Sequence, residues 1–340
     1  MLDNPELNPR EAPPAERAGA SATADYDALV RGAGVYRLAG RVVVRAVGDD
    51  RVSFLHGMCS GDVRGASPGT VLPALFLTEH AHLIADFFAW LTEDAILIEI
   101  DSRLWARARE HLERLLVADD VEFEESPPLA VIDVEGPRAA DAIRAVAGNQ
   151  AASLGEWRHL RVGDLEIGNV PRLRAPAFAV LVPSANAGQV AAQIAAAAPG
   201  IRHVGEAAVE IVRVENGIAR AGTDTTVNTI ALEARLEPAI SFNKGCYVGQ
   251  ETIERATARG ALRKRLVGLK FDDLRLPECG GAVMLAGKAV GRVTSVALSP
   301  RFGAIGLAIL HHSAWSPGTR VEIAARAGTT TAQVSEIPFQ

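Results

Sequence analysis

The sequence predicts an α+β protein that ends in a small all-β unit, and three observations carry that expectation. Through about residue 260, apolar and β-branched runs alternate with segments of helical period. From about residue 261 onward, short strand-like runs are separated by Gly, Pro and His/Ser turns, with no helical period. Hydrophobic residues make up 48% of the 340 residues and charged residues 22%. This is near the average of globular domains and excludes a disordered, collagen-like or coiled-coil chain. A chain of this length divides into two or three domains. We expect a tail over residues 1–24, an α+β region over 25–260 and a barrel over 261–340.

The leading stretch is rich in Pro, Ala and Glu and reads as a disordered tail. Arg41–Val47 is β-branched and reads as a strand. Asp49 or Asp50 then precedes a short helix over Arg51–Cys59, where a carboxylate can accept from free first-turn amides. Strands are expected at Val71–Leu77, Leu83–Leu91 and Ala95–Ile100, and a helix after Asp101 or Ser102 to about Val117. Strands at VEFEES and LAVIDV lead to a helix over Arg138–Ala147, with Pro137 at its start and Gly148 at its stop. FAVLVP is another strand, followed by a helix through QVAAQIAAAA. A further helix runs over Gly205–Glu215 and stops at Asn216-Gly217.

Charge and cysteine usage narrow the function. The formal net charge of −6 argues against a generic nucleic-acid or membrane-surface binder. Cys59, Cys246 and Cys279 are odd in number and far apart, as in a reducing compartment, and there is no Cys-x-x-Cys pair to suggest a zinc site. The first residues carry acids where a signal peptide needs positive charge. No run of ~18 apolar residues suggests a membrane span. A cytoplasmic protein without a resident metal is the expectation.

Residues 241–251, SFNKGCYVGQE, stand out. Two glycines four apart permit a sharp turn and a close approach. Cys246 lies two residues after Lys244 and ahead of several arginines, a setting that favours the thiolate. A buried cysteine in a tight turn is the alternative. The stretch resembles the K-G-C-Y-x-G-Q-E signature of the YgfZ-type folate-binding proteins, within the wider family of the glycine-cleavage T-protein (GcvT). Lys244, Gly245, Cys246, Tyr247, Gly249, Gln250 and Glu251 match it. RVSFLHGMCSGDV and GRVTSVALSP with GAIGLAIL resemble the family's early segment and its C-terminal barrel, so the likeness spans about residues 35–325. It implies a three-domain ring around a central folate pocket, with two α+β domains, one inserted within the other, and a β-barrel.

The resemblance also proposes site residues. Glu215, in Arg-x-Glu-x-Gly, sits at a helix end, where a carboxylate faces the unfavourable end of the dipole. In the T-protein branch a glutamate in a similar segment holds the pterin ring, as a carboxylate can accept two parallel N–H bonds. Asp86 interrupts the apolar run HLIADFFAW. The matching strand of the T-protein branch usually has two adjacent aspartates that activate the folate nitrogen, and here Ala85 replaces one. Asp224, in GTDTTVN, lies in a loop that approaches the folate in that branch, or forms an ordinary turn. Lys244, Tyr247, Gln250 and Arg255 complete the expected cofactor contacts. Arg255, Arg259 and Arg263, spaced by four, would share a helical face for the folate tail or an acidic partner. A solvated basic face is the alternative.

The resemblance implies tetrahydrofolate, or a one-carbon derivative of it, as cofactor. The main expectation is a monomeric YgfZ-like protein that supports assembly or repair of iron–sulfur proteins, with those clients as partners and Cys246 as the working thiol. The alternative is a folate-dependent aminomethyltransferase or demethylase with Asp86 as base. A ligand-free scaffold is the third reading.

Overall fold

The computed structural model describes residues 20–125, 127–173, 176–259, 262–325 and 328–340. Two sheets, a barrel and the helices around them account for these residues. Of the expected tail, residues 1–19 lie outside the described residues, and the remainder is a correction. Residues 20–24 open a helix, Ala20–Arg31. It is rich in alanine, the best helix former, and buries Tyr26, Ala28 and Leu29 against Val209 and Val212 of the helix Glu206–Glu215. That apolar face supplies stability which a short isolated helix lacks.

The first sheet has six strands in the order 201–203, 33–37, 129–135, 177–183, 165–169 and 159–162. Only the edge pair of 201–203 with 33–37 is parallel. The helices Ala139–Ala152 and Ala187–Ala195 cover one face through Ile143, Ala191 and Ile194. Gly148 takes a φ of +84° and kinks the first of these, at the position expected as its stop. The second sheet is antiparallel, in the order 70–77, 83–91, 96–101, 41–47 and 122–124. Its outer face packs on the helices Arg51–Met58 and Ser102–Leu115. The Asp101 carboxylate caps the latter by accepting from the Arg103 amide. Asp50 precedes the former without capping it, and its carboxylate accepts from the Asp120 amide instead.

The two sheets meet face to face. Val43, Val71, Trp90 and Leu97 of the second interdigitate with Val131, Ala179 and Leu181 of the first. The chain makes this contact by leaving the first sheet after Arg37, building the whole second sheet, and returning at Leu129. Segments from Ala221 to Ala256 then complete the second sheet's core. The C-terminal strands 264–271, 303–311, 288–299, 282–285, 320–325 and 328–335 form a closed antiparallel barrel. Val214 of the helix Glu206–Glu215 packs with Leu266, Ile305 and Leu307 of the barrel. The fold is α+β with a C-terminal six-stranded barrel.

Trp90 of the second sheet packs directly on Gly168 of the first. A Cβ at position 168 would stand 2.6 Å from the Trp90 ring, which is fully buried. Gly168→Ala is therefore expected to lower stability by about 1–3 kcal/mol, the usual cost of overpacking. Urea unfolding monitored by tryptophan fluorescence measures this, and an unchanged midpoint contradicts it.

Candidate functional site

The expected site residues fall into three groups. The first is centred on Glu215. Its carboxylate is 8% exposed and accepts from the Tyr26 hydroxyl, 3.0 Å to Oε1 and 3.2 Å to Oε2, and from the Ser299 hydroxyl, 2.5 Å to Oε1. Ser299 Oγ in turn accepts from the Arg301 and Phe302 amides. These donors supply what the helix dipole denies a carboxylate at that end. Burial and the Glu215 charge push the Tyr26 hydroxyl up to about 12, so it remains a donor. The Glu215 carbonyl accepts from the Phe339 amide at 2.9 Å. One residue thus joins the first helix, the helix Glu206–Glu215, the barrel and the segment that follows the last strand.

Asp224 forms the second group. It is wholly buried, and accepts from Arg213 Nη1 (2.8 Å), Thr294 Oγ1 (2.5 Å), Ser295 Oγ (2.7 Å) and the Arg220 amide (2.8 Å). Burial raises its carboxyl, but Arg213 and the two hydroxyls outweigh that and hold it below the usual carboxylate range. Its acceptor positions are thus met by protein donors, and the loop aspartate fastens the barrel to the helix Glu206–Glu215.

The third group is the signature. Lys244 is 9% exposed, and its ammonium donates to the carbonyls of His56, Cys59 (2.8 Å) and Gly61 (2.8 Å). All three donors close the C-terminal end of the helix Arg51–Met58, a favoured place for a cation. The three donors of the Lys244 ammonium are thus engaged within the protein. Its Nζ also lies 5.0 Å from the centre of the buried Tyr247 ring. Gly249 has a φ of +90°, and a Cβ there would stand 2.7 Å from the Thr78 carbonyl oxygen. Between these anchors Gly245 and Cys246 are exposed. The thiol is accessible, unlike that of Cys59, which burial raises to about 11. Gln250 donates to Glu254 at 2.6 Å and accepts from the Tyr247 amide at 3.3 Å, both within its own turn. Arg255 is exposed and paired with Glu251 four residues earlier, an arrangement worth only ~0–1 kcal/mol. The helix runs Gln250–Arg259, and Arg263 immediately precedes the strand Lys264–Phe271, so the expected three-arginine helical face does not form.

Asp86 is half-buried on the strand Leu83–Leu91, paired with Leu75 of the neighbouring strand. Strand alternation gives it the face of Phe88 and Trp90, toward the first sheet. The structure does not join Asp86, Glu215 and Cys246 by any hydrogen bond among the described residues.

Sequence reasoning missed the charge cluster on that inner face. Arg172 Nη2 donates to Glu99 Oε2 at 2.6 Å, its Nε lies 2.9 Å from Asp133 Oδ2, and its guanidinium sits 4.3 Å from the Phe88 ring centre. Arg41 takes the other Glu99 oxygen at 3.0 Å, and Trp90 Nε1 donates to Glu99 at 3.2 Å. Burial raises the Asp133 carboxyl to about 6 despite Arg172, and burial together with Asp133 raises Glu135 well above its usual value. The available signal was LAVIDVE, where two acids alternate inside an apolar strand, as Asp86 does in its own. Among the described residues, no cluster of three or more His, Cys, Asp or Glu is arranged to hold a metal, and no helix is long and apolar enough to cross a membrane.

With this geometry established, comparison with known proteins decides the family. The GCVT N-terminal domain matches residues 7–244, and the glycine cleavage T-protein C-terminal barrel domain matches residues 264–340. The chain belongs to the glycine-cleavage T-protein family. A chloroplastic protein of Arabidopsis thaliana, named as a transferase, is 27% identical over 92% of this chain and 72% of its own. An aminomethyltransferase of Rubrobacter xylanophilus is 26% identical over 96% of this chain and 87% of its own. The crystal structure of the glycine cleavage system aminomethyltransferase T from Bartonella henselae superposes with a TM-score of 0.84, covering 94% of this chain and 89% of that one, at 20% identity. That superposition shows the T-protein fold.

Asp224→Asn leaves Arg213 buried and short of a counter-charge, and should cost about 3–5 kcal/mol in chemical denaturation. A maleimide reagent should label Cys246 first in the native protein. Cys279 should react next, its thiol raised by burial and by the Asp224 and Glu210 charges, and Cys59 should react only on unfolding. Peptide mass mapping after timed quenching gives the order.

Proposed function

We propose that this protein binds tetrahydrofolate or a one-carbon derivative of it. Membership of the T-protein family supports this reading, and the buried carboxylates on the inner sheet face, with Glu135 unpartnered among the described residues, suit a ligand whose ring presents N–H donors. When bound, the folate supplies a nitrogen that carries a one-carbon unit. This chain's residues orient the ring, exclude water and hold protons at the carboxyl groups.

Two uses of the folate are distinguished by specific observations. The exposure of Cys246 carries the YgfZ-like one, support of iron–sulfur proteins. Its turn is fixed by Lys244, Tyr247 and Gly249, yet the thiol itself faces outward. An accessible thiol on a rigid mount suits reaction with a partner or adduct more than packing. The near full-length likeness to proteins named aminomethyltransferase favours one-carbon transfer instead. For that chemistry Asp86 is the group on the inner face, with Ala85 beside it in place of a second acid.

The deciding experiment measures two things on wild type, Cys246→Ser and Asp86→Asn. One is the activity of iron–sulfur enzymes in cells that depend on the protein; the other is release of methylene-tetrahydrofolate from aminomethyl donors in vitro. Loss of the first with Cys246→Ser and no turnover in any form is the expected result. Turnover by wild type that Asp86→Asn abolishes would instead establish the transferase.

A further inference from the structure

The inner face of the six-stranded sheet holds buried charge that neither use of the folate has absorbed. Tyr36, Asp133 and Ala179 lie abreast on adjacent strands, and Gly34, Glu135 and Ala177 form the next row. Asp133 and Glu135 therefore project from one face, and on the flank of the strand Ala177–Pro183 they have only methyl groups beside them. Arg172 and Arg41 serve Glu99 and Asp133. Glu135 is left over. It is 1% exposed, and neither of its oxygens has a hydrogen-bond partner among the described residues. The Leu173 amide lies near enough to ease its ionisation without forming a bond of acceptable geometry. A buried carboxyl without partners is costly, and such groups call for an explanation.

We propose that Asp133 and Glu135 are the acceptor pair for the N–H edge of the pterin ring, the task first expected of Glu215. This rests on the folate reading above and assigns its ring-binding end. Glu215 already accepts from Tyr26 and Ser299. Asp133, by contrast, shares with Glu99 a planar fork of N–H donors, the Nε and Nη2 of Arg172. A 2-aminopyrimidinone edge is a fork of the same kind, with a ring N–H beside an exocyclic amine. The ligand takes the place of Nε on Asp133 and brings a second donor to Glu135, while Arg172 keeps its bond to Glu99. The Phe88 ring, which Arg172 now covers, offers an aromatic face alongside.

The assignment has a proton consequence. The charged and titratable groups around Glu135 are Asp133, Arg172, Tyr36, Glu99 and Arg41. Burial and the neighbouring Asp133 raise the Glu135 carboxyl well above its usual value in the free protein, which favours its protonated form. Receiving an N–H donor favours the carboxylate, so binding sends that proton to solvent. Affinity then rises with pH until Glu135 ionises unaided.

The test is anaerobic calorimetry of the full chain with tetrahydrofolate, in paired buffers of different ionisation enthalpy. Wild type should bind with a net release of protons. Glu135→Gln and Asp133→Asn should weaken binding about tenfold or more, the value of a lost buried hydrogen bond, and Glu135→Gln should abolish the buffer dependence. Glu215→Gln should retain binding and melt at a lower temperature. Should the sheet variants fail to fold, a 2-desamino-2-methyl analogue of tetrahydrofolate put to wild type asks the same question: it should bind about tenfold weaker or worse. Wild-type affinity in Glu135→Gln and Asp133→Asn, or an analogue that binds as well as tetrahydrofolate, overturns the assignment and leaves the folate reading standing. A well-folded wild type that binds no tetrahydrofolate removes both.

Discussion

The buried bond between Arg213 and Asp224 holds together parts of the chain that share little else. Arg213 belongs to the helix Glu206–Glu215, and Asp224 to the loop after it. Thr294 and Ser295 of the barrel donate to the Asp224 carboxylate, and Arg213 also reaches Glu210 and Ser295. Two charges taken out of water are repaid only when every remaining donor and acceptor is met. Here that condition fixes the barrel's position against the helix. The same placement brings Ser299 to Glu215, so the geometry at the helix end is inherited from an ion pair whose arginine lies two residues away.

The order in which the chain visits the two sheets imposes a second constraint. The strand Ala33–Arg37 and the strand Leu129–Glu135 are neighbours, yet the entire second sheet lies between them in sequence. Residues after Ala221 then fill the second sheet's outer core. Neither sheet can finish its core from a continuous piece of chain. Contacts this distant in sequence carry a high loop-closure cost.

The elements were legible because their signals are local. The cap at Asp101, the glycine at 148 and the short strands of the barrel each depend on a few neighbouring residues, although Gly148 kinks the helix it was expected to stop, which runs on to Ala152. The misreadings share a different origin. Arg263 falls at the start of the barrel, outside the helix that its spacing suggested. Lys244 was read beside Cys246, its sequence neighbour, but its ammonium meets carbonyls 183–188 positions away. Asp224 reads as a turn residue, and only the folded chain brings Thr294 and Ser295 to it. Asp133 and Glu135 stood in plain view as alternating acids in a strand. Sequence alone does not say that two arginines would answer three carboxylates and leave one over.

The lysine-pinned turn bears on how this chain's chemistry can change over time. Its shape is set by a cation shared among three carbonyls, by a buried ring and by a glycine against a backbone oxygen. None of these involves the side chain at position 246. The residue at the tip is thus free of the architecture beneath it. A thiol there can be gained, lost or exchanged for another nucleophile without refolding the mount, and selection can act on reactivity and on stability separately.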